Sequence, residues 1–329
     1  MNRSRQTWFA RLSSQPYALV LLLLILGWIA TAFFQIDYFQ PRNFANQLRS
    51  YLPLIFLAVA QTIIVIGGGI DLSLGALMTL SSVVMVQAFG ANPGPLETFY
   101  GITLGLLAAM LAGAINGWIV AYLRLQPIIA TFATSSLWAG VALWVLPQPG
   151  GVVPQSVQDF VRLSVIPPFG LIVIGIVLLV WAWFLGTRGA RALYAVGGSP
   201  QAAFASGVNV PFVKLGSYAM GGLVAGFAAL FLIGDLATGD PLIGAPLTLS
   251  SVVAVVLGGT RLSGGAGSII GSIMGAIVYY ILKNIVAFSV FRTGLTPQWQ
   301  TLIDGLVVVF ALAGPGLTRL LKPGSRRSV

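Results

Sequence analysis

The chain has 329 residues, of which 57% are hydrophobic and 7% charged, with 17 basic and 7 acidic side chains and neither His nor Cys. About a quarter of the residues of a soluble domain carry charge, so this complement cannot solvate a globule of this size, and the medium around it must be mostly lipid. The composition also excludes disulfides, thiolate or imidazole chemistry and most transition-metal sites. The net charge of +10 is scattered singly or in short terminal clusters, which fits the loop ends of a membrane protein rather than a nucleic-acid surface.

Apolar runs long enough for a bilayer core of ~30 Å recur along the whole chain. They predict about ten transmembrane helices, near 17–34, 51–69, 72–90, 99–123, 128–146, 167–186, 215–234, 247–259, 268–288 and 299–314. The first follows a basic N-terminus and contains Ala30-Thr31-Ala32, which faintly resembles a signal-peptidase site. Its spanning length makes a retained helix the better reading. The eighth is short, so 235–259 is a candidate for a re-entrant or broken helix.

Basic residues set the orientation. With the N-terminus inside, Arg3, Arg5, Arg11, Arg124, Arg188, Arg191, Lys214, Arg261, Arg319, Lys322, Arg326 and Arg327 face the cytoplasm. Arg42, Arg49, Arg162, Lys283 and Arg292 face out. Both termini are then cytoplasmic. No linker divides the chain, so 1–329 reads as one transmembrane domain. Its longest cytoplasmic loop is 187–214, and Pro147–Pro168 is its longest external one.

Two segments break the apolar pattern. In Gly67-Gly68-Gly69-Ile70-Asp71-Leu72-Ser73-Leu74-Gly75, three glycines end the second span and either Asp71 or Ser73 can cap the third. The segment is either a tight structural turn or a break that shapes a pathway or a partner contact. A similar string, Gly258-Gly259-Thr260-Arg261-Leu262-Ser263-Gly264-Gly265, sets Arg261 against Asp71 as a candidate ion pair. Eight residues in a Gly-rich chain do not establish a repeat. The second segment is Ser199–Gly207. Ser199 suits an N-cap, Pro200 the first helical position and Gly207 the residue past the end, enclosing a helix ~10 Å long with Ala202, Ala203 and Phe204 inside it. So short a helix needs packing to persist, which favours docking on another protein over an ordinary loop helix.

Gly113, Gly117, Gly271 and Gly275 stand at close-packing spacing. Gln61, Thr62, Asn116, Thr131, Thr134, Ser135, Trp138 and Asn284 are polar or amphipathic groups inside spans. They either bond across helices or line a path for a polyhydroxylated solute. Gln61, Asn116, Thr131, Ser135 and Trp138 are the path candidates, with Asn116 the strongest because a buried amide must satisfy several partners. Among acids only Asp304 falls well inside a span, and no His accompanies it, which argues against a stand-alone secondary transporter. No catalytic pair, metal set or Gly-x-x-x-x-Gly-Lys phosphate loop exists. The chain therefore reads as having no catalytic residues, metal or cofactor of its own, and if it carries out driven transport the energy comes from a partner.

Gly68-Gly69-Ile70-Asp71-Leu72-Ser73-Leu74-Gly75 resembles the Gly-Gly-Ile-Asp-Leu-Ser-Val-Gly signature of ribose-type ABC permeases. Asn116-Gly117, Pro127–Thr131, Tyr194–Gly207 and Ser251–Gly271 are similar to further stretches of that family, in order. The resemblance implies a vitamin-B12-permease-like importer fold in the bacterial inner membrane. It also implies a second permease subunit, a cytoplasmic ABC ATPase and a periplasmic sugar-binding protein, with the Ser199–Gly207 helix coupling to the ATPase. A monosaccharide is the expected solute; a branched-chain amino acid or a signalling furanone is the alternative within the fold. Ser199 in place of the usual Asn, Gln201 in place of Glu, and Thr248-Leu249-Ser250 where many members carry Glu-Leu-Asp are departures that bear on the solute subgroup.

Overall fold

A computed structural model describes residues 18–293 and three isolated positions beyond them, Trp299, Leu302 and Gly305. The described residues form twelve α-helices and one 3-10 turn, Ile36–Phe39. The helices are α1 (Ala18–Phe34), α2 (Pro41–Ile66), α3 (Leu74–Phe89), α4 (Pro95–Ala121), α5 (Pro127–Val145) and α6 (Gln155–Val161). They continue with α7 (Phe169–Leu185), α8 (Arg188–Gly198), α9 (Pro200–Ala205), α10 (Val210–Leu236), α11 (Ala245–Leu257) and α12 (Ile269–Thr293). Proline opens α2, α4, α5, α9, α10 and α11 at the first or second position, where its missing N–H has no helical partner to lose.

Nine of the ten expected spans coincide with a helix, and the tenth, 299–314 with Asp304, falls almost entirely outside the described residues. Five helices, α2, α4, α5, α10 and α12, are long and apolar enough to cross a membrane, and α7 with α8, bent by 81°, makes a sixth candidate. The chain is thus an all-helical, multi-pass membrane protein. Helices α1, α3 and α11 are shorter. The second span begins ten residues before its apolar run because Pro41 starts the helix and carries the polar stretch Arg42–Ser50 with it.

Helix α2 is the axis of the bundle: every residue from Tyr51 to Ile66 is buried. Helix α4 shows how lipid reverses the usual pattern. Its buried face is small, with Gly101, Gly105, Ala109, Ala112, Gly113, Asn116 and Gly117. Its exposed face carries Leu104, Leu107, Leu111, Ile115 and Trp118. Small residues let backbones approach where no hydrophobic force separates helix from lipid. A Cβ on Gly222 of α10 would lie 2.2 Å from the Ala109 carbonyl oxygen, and one on Gly113 would lie 2.5 Å from that of Tyr218. The expected Gly113/Gly117 and Gly271/Gly275 pairs both serve such crossings: α4 on α10, and α12 on Gly258 and Ala254 of α11.

At the end of the bundle where α2 begins, Arg49 pairs with Asp235. Ser50 Oγ also donates to that carboxylate, and Arg162 donates to the Asp235 carbonyl at 2.7 Å. Together they tie α2, α10 and the segment after α6. At the opposite end lie Arg124, the α7–α8 bend with Arg188 and Arg191, and α9.

Candidate functional site

Helix α2 stops because its glycines permit it. Gly68 takes φ +81°, and the N–H groups of Gly68 and Gly69 return to Val65 O (2.9 Å) and Ile64 O (3.0 Å), a Schellman end. The second Gly-Gly string does the same for α11. Gly259 has φ +78°, with Gly259 N–H on Val256 O (3.0 Å) and Thr260 N–H on Val255 O (3.2 Å). The two ends also touch. Gly265 N–H donates to Ile66 O at 3.0 Å, and a Cβ on Gly264 would lie 2.7 Å from Gly68 Cα. Gly197, at the end of α8, closes the same junction, since its Cβ would meet Ile66 O at 1.7 Å. The likeness between the strings therefore reflects one way of ending a helix, used twice in contact.

The candidate Asp71–Arg261 pair does not form. Asp71 is fully buried and Arg261 is exposed. Asp71 Oδ1 instead accepts from Ser73 N–H (2.7 Å) and Ser73 Oγ–H (2.6 Å). Ser73 is the N-cap residue of α3 by position, yet neither its side chain nor that of Asp71 caps the first turn. The Ser73 hydroxyl is already engaged by Asp71 and Asn116, and Gly75 N–H goes to Thr248 Oγ1 of α11 at 3.0 Å.

Side chains from three helices hold the opened segment between α2 and α3, two of them through its backbone and one through the Ser73 hydroxyl. Gln61, with its amide oriented to suit both partners, donates to Asp71 O (2.9 Å) and accepts from Asp71 N–H (3.2 Å). Thr131 of α5 accepts from Leu72 N–H at 2.9 Å. Asn116 of α4 donates to Ser73 Oγ at 2.6 Å and accepts from Trp138 Nε1–H at 3.1 Å. Four of the five path candidates, Gln61, Asn116, Thr131 and Trp138, are thus buried together around the break. Non-helical backbone at membrane depth persists only where protein supplies partners, and these residues supply them. Asp71 Oδ2 and Tyr218 Oη are buried in the same neighbourhood with no hydrogen-bond partner among the described residues, and a Cβ on Gly69 would lie 2.5 Å from Tyr218 Oη.

Ser135, the fifth path candidate, lies apart from this network and lines an open groove of about 350 Å³ between α3, α5 and α11. Leu72, Ala76 and Thr79 form one wall, Phe132, Ser135 and Ser136 another, and Leu242, Ala245 and Thr248 the third. Thr79 and Ser136 were not singled out in the sequence, and Thr248 stood out there only as part of the Thr248-Leu249-Ser250 departure. Hydroxyl residues four positions after Gly75 and Gly244 were the available signal.

Helix α9 has the predicted geometry. Ser199 Oγ accepts from Ala202 N–H at 3.3 Å and Pro200 opens the helix. Gly207, at φ +81°, closes it with Val208 N–H on Ala203 O at 3.0 Å. Ala203 is buried, while Ala202 is exposed and Phe204 is 72% exposed. Phe212, at the start of α10, is 66% exposed.

A profile of permease components of branched-chain amino acid transport systems matches residues 43–312. The fructose import permease of Rhizobium meliloti is 31% identical over 92% of this chain and 86% of its own length. The ribose import permease of Bacillus subtilis is 31% identical over 84% of this chain and 85% of its own. The autoinducer 2 import system permease LsrD of Escherichia coli O9:H4 is also 31% identical, over 78% and 79%. No solved structure is significantly similar. With a profile covering most of the sequence and relatives matched nearly end to end, the chain belongs to this family, as a permease component of an ABC transporter and not itself an enzyme.

Proposed function

We propose that the chain is the membrane-spanning permease of a binding-protein-dependent importer that moves a monosaccharide into the cytoplasm, working with a second permease subunit and a cytoplasmic ATPase. The observation that carries the solute class is the near end-to-end likeness to permeases named for fructose and ribose import. Ten spans in a vitamin-B12-permease-like arrangement, forming one domain over 1–329 with both termini cytoplasmic, belong to the same reading. Its orientation rests on the gathering of Arg124, Arg188 and Arg191 at the α9 end of the bundle, as positive-inside placement requires. A furanone-like signalling molecule is the second reading, because an autoinducer 2 permease is equally similar.

In this reading the periplasmic binding protein delivers the solute at the Arg49–Asp235 end. ATP-driven closure of the ATPases then moves the permeases through α9, as rigid-body rocking between two access states. Helix α9 is built to transmit such motion. Its buried Ala203 seats it on the bundle and its large aromatic points away, while α8, which leads into it, ends on the glycine junction beneath the α2–α3 break.

The solute is settled by purifying the assembled complex, identifying the ligand on its binding protein and measuring ATP-dependent uptake of labelled ribose and fructose. A bound furanone with no sugar uptake would select the second reading. For α9 itself, Gly207→Val forces a branched side chain into left-handed geometry at a cost of roughly 1–2 kcal/mol. Capture of the ATPase is expected to weaken while membrane insertion persists. Undiminished capture would count against α9 as the coupling element.

A further inference from the structure

Of the five long spans, α5 is the least covered. Only Ala130, Thr131, Thr134, Trp138 and Ala142 of its 19 residues are buried. A bare helix face meets either lipid or water, and its side chains tell which. Helix α7 shows the lipid kind: Ile176, Leu179, Val180 and Trp183 are exposed, and the helix contains no hydroxyl residue at all. The groove side of α5 instead presents Ser135 and Ser136 beside Phe132 and Ala139. Serines within membrane helices commonly bond their own backbone, as Ser135 Oγ does by donating to Phe132 O at 2.6 Å. Ser136 stands at the middle of the span, is exposed, and bonds to no described residue. A free hydroxyl at that depth is costly against hydrocarbon and costs nothing against water.

The facing wall points the same way, because part of it is not helical. The chain after α10 turns at Ala237, which has φ +61°, and pairs Gly239 with Gly150 (2.9 and 3.0 Å). It resumes a helix only at Ala245. Gly239 lies beside Val86 of α3, and Gly244 lies beside Thr79. The irregular segment therefore descends ~10 Å along α3 from near its outer end, at 1.5 Å per helical residue. At its foot Leu242 is 63% exposed and Ala245 is exposed, and both line the groove. Irregular backbone at membrane depth does not occur against lipid. It persists where protein buries it or where it lines a water-filled cavity, and the described residues leave this segment open.

We infer that this groove is one wall of an aqueous passage for a small polyhydroxylated solute, completed across its open side by the second permease subunit. The inference rests on the importer reading above and adds which surface of this chain the solute meets. The groove takes in α5 from Phe132 to Ala139, about 10 Å at the centre of the span. Its volume of about 350 Å³ is at the lower end of the ~300–1,000 Å³ usual for small-molecule sites.

The hydroxyls of the wall divide into two kinds. Thr79 Oγ1 accepts from Gly244 N–H (3.1 Å) and Thr248 Oγ1 from Gly75 N–H (3.0 Å), so both threonines are committed to holding the wall together. Ser136 Oγ is free to donate to and accept from a solute hydroxyl, and Ser135 Oγ keeps lone pairs to accept one. Phe132, 65% exposed, adds an aromatic face for C–H surface. No charged side chain lines the groove. Neutral, sparse contacts suit a solute that must leave as readily as it enters.

The absence of Cys lets water access be measured one position at a time. Ser136→Cys and Leu242→Cys, with Leu111→Cys and Leu179→Cys as lipid-facing references, are each assembled with the ATPase and binding protein in liposomes. Each is treated with a charged, membrane-impermeant methanethiosulfonate. The thiolate is the reactive form, and apolar surroundings suppress it. The two groove variants are expected to react at least tenfold faster than the references. Equal rates would overturn the passage, since a groove covered by lipid or by protein gives that result. Modification of Ser136→Cys is then expected to cut ATP-driven uptake of labelled ribose or fructose at least tenfold relative to the same variant unmodified, with recovery on reduction. Fast reaction with undiminished uptake would mean water without solute, and would also overturn it. The two failures stay distinct. A parent complex that moves neither sugar, although its groove variants react fast, brings down the importer reading and the solute passage with it. Equal reaction rates with sugar uptake intact bring down the groove alone.

Discussion

Gln61→Leu is expected to destabilise the folded protein by about 2–6 kcal/mol, because each of two buried backbone groups left unpaired costs about 1–3 kcal/mol. Gln61 is wholly buried and holds both the N–H and the carbonyl of Asp71. Leucine fills a similar volume, so packing is nearly conserved and the loss isolates the hydrogen bonds. The measurement is unfolding of the purified permease in detergent, followed by tryptophan fluorescence. Thr131→Val removes the acceptor of Leu72 N–H at 2.9 Å and a longer, 3.3 Å donor to the Ile70 carbonyl, and should lose about 1–3 kcal/mol, most of it from the unpaired N–H. Because Gln61, Thr131 and Asn116 hold one seven-residue break, combined substitutions should be non-additive by about 0.5–3 kcal/mol. A Gln61→Leu protein as stable as the parent would show that the break is held by packing alone, and that these polar side chains serve some other purpose.

Phe204→Ala is expected to leave the isolated permease within about 0.5 kcal/mol of the parent, as an exposed substitution should, while weakening ATPase capture about thirtyfold. The second figure corresponds to the ~2 kcal/mol that a buried aromatic anchor contributes to an interface, at 1.4 kcal/mol per tenfold. Phe204 is 72% exposed on a six-residue helix, and an isolated helix of that length is unstable in water. Its persistence here comes from the Ser199 cap, the Gly207 turn and the seating of Ala203. None of these requires the aromatic ring, so the ring is free to serve a partner. Binding of the ATPase to Phe204→Ala and to the parent, measured in detergent with equal amounts of folded permease, separates the two effects. Equal affinities would remove Phe204 from the interface, and parallel measurement of Phe212→Ala would show whether the neighbouring aromatic takes that place.

Much of this protein was legible in its sequence. The scarcity of charge forced a membrane setting, since hydrocarbon leaves a chain only helices or closed barrels and the runs here have helical spanning length. Short-range chemistry was equally legible. Proline openings, the Ser199 cap and the glycine ends at Gly68, Gly207 and Gly259 depend on φ preferences and on neighbours a few residues away. The motif order that identified the family is likewise local text.

Contacts between distant segments were decided only by the tertiary structure. Asp71 and Arg261 looked like partners by alignment, yet the fold places one in the core and the other at the surface. Gln61, Asn116, Thr131 and Trp138 carried the right polarity for a solute path. Their assembly around the α2–α3 break depends on how α2, α4 and α5 converge, which no spacing within one helix reveals. Gly75 meets Gly244, 169 positions apart in the sequence, because the chain after α10 folds back along α3, which no local pattern announces. A side chain's polarity belongs to the residue, but whether it faces solute, lipid or another backbone depends on which helices the bundle brings together.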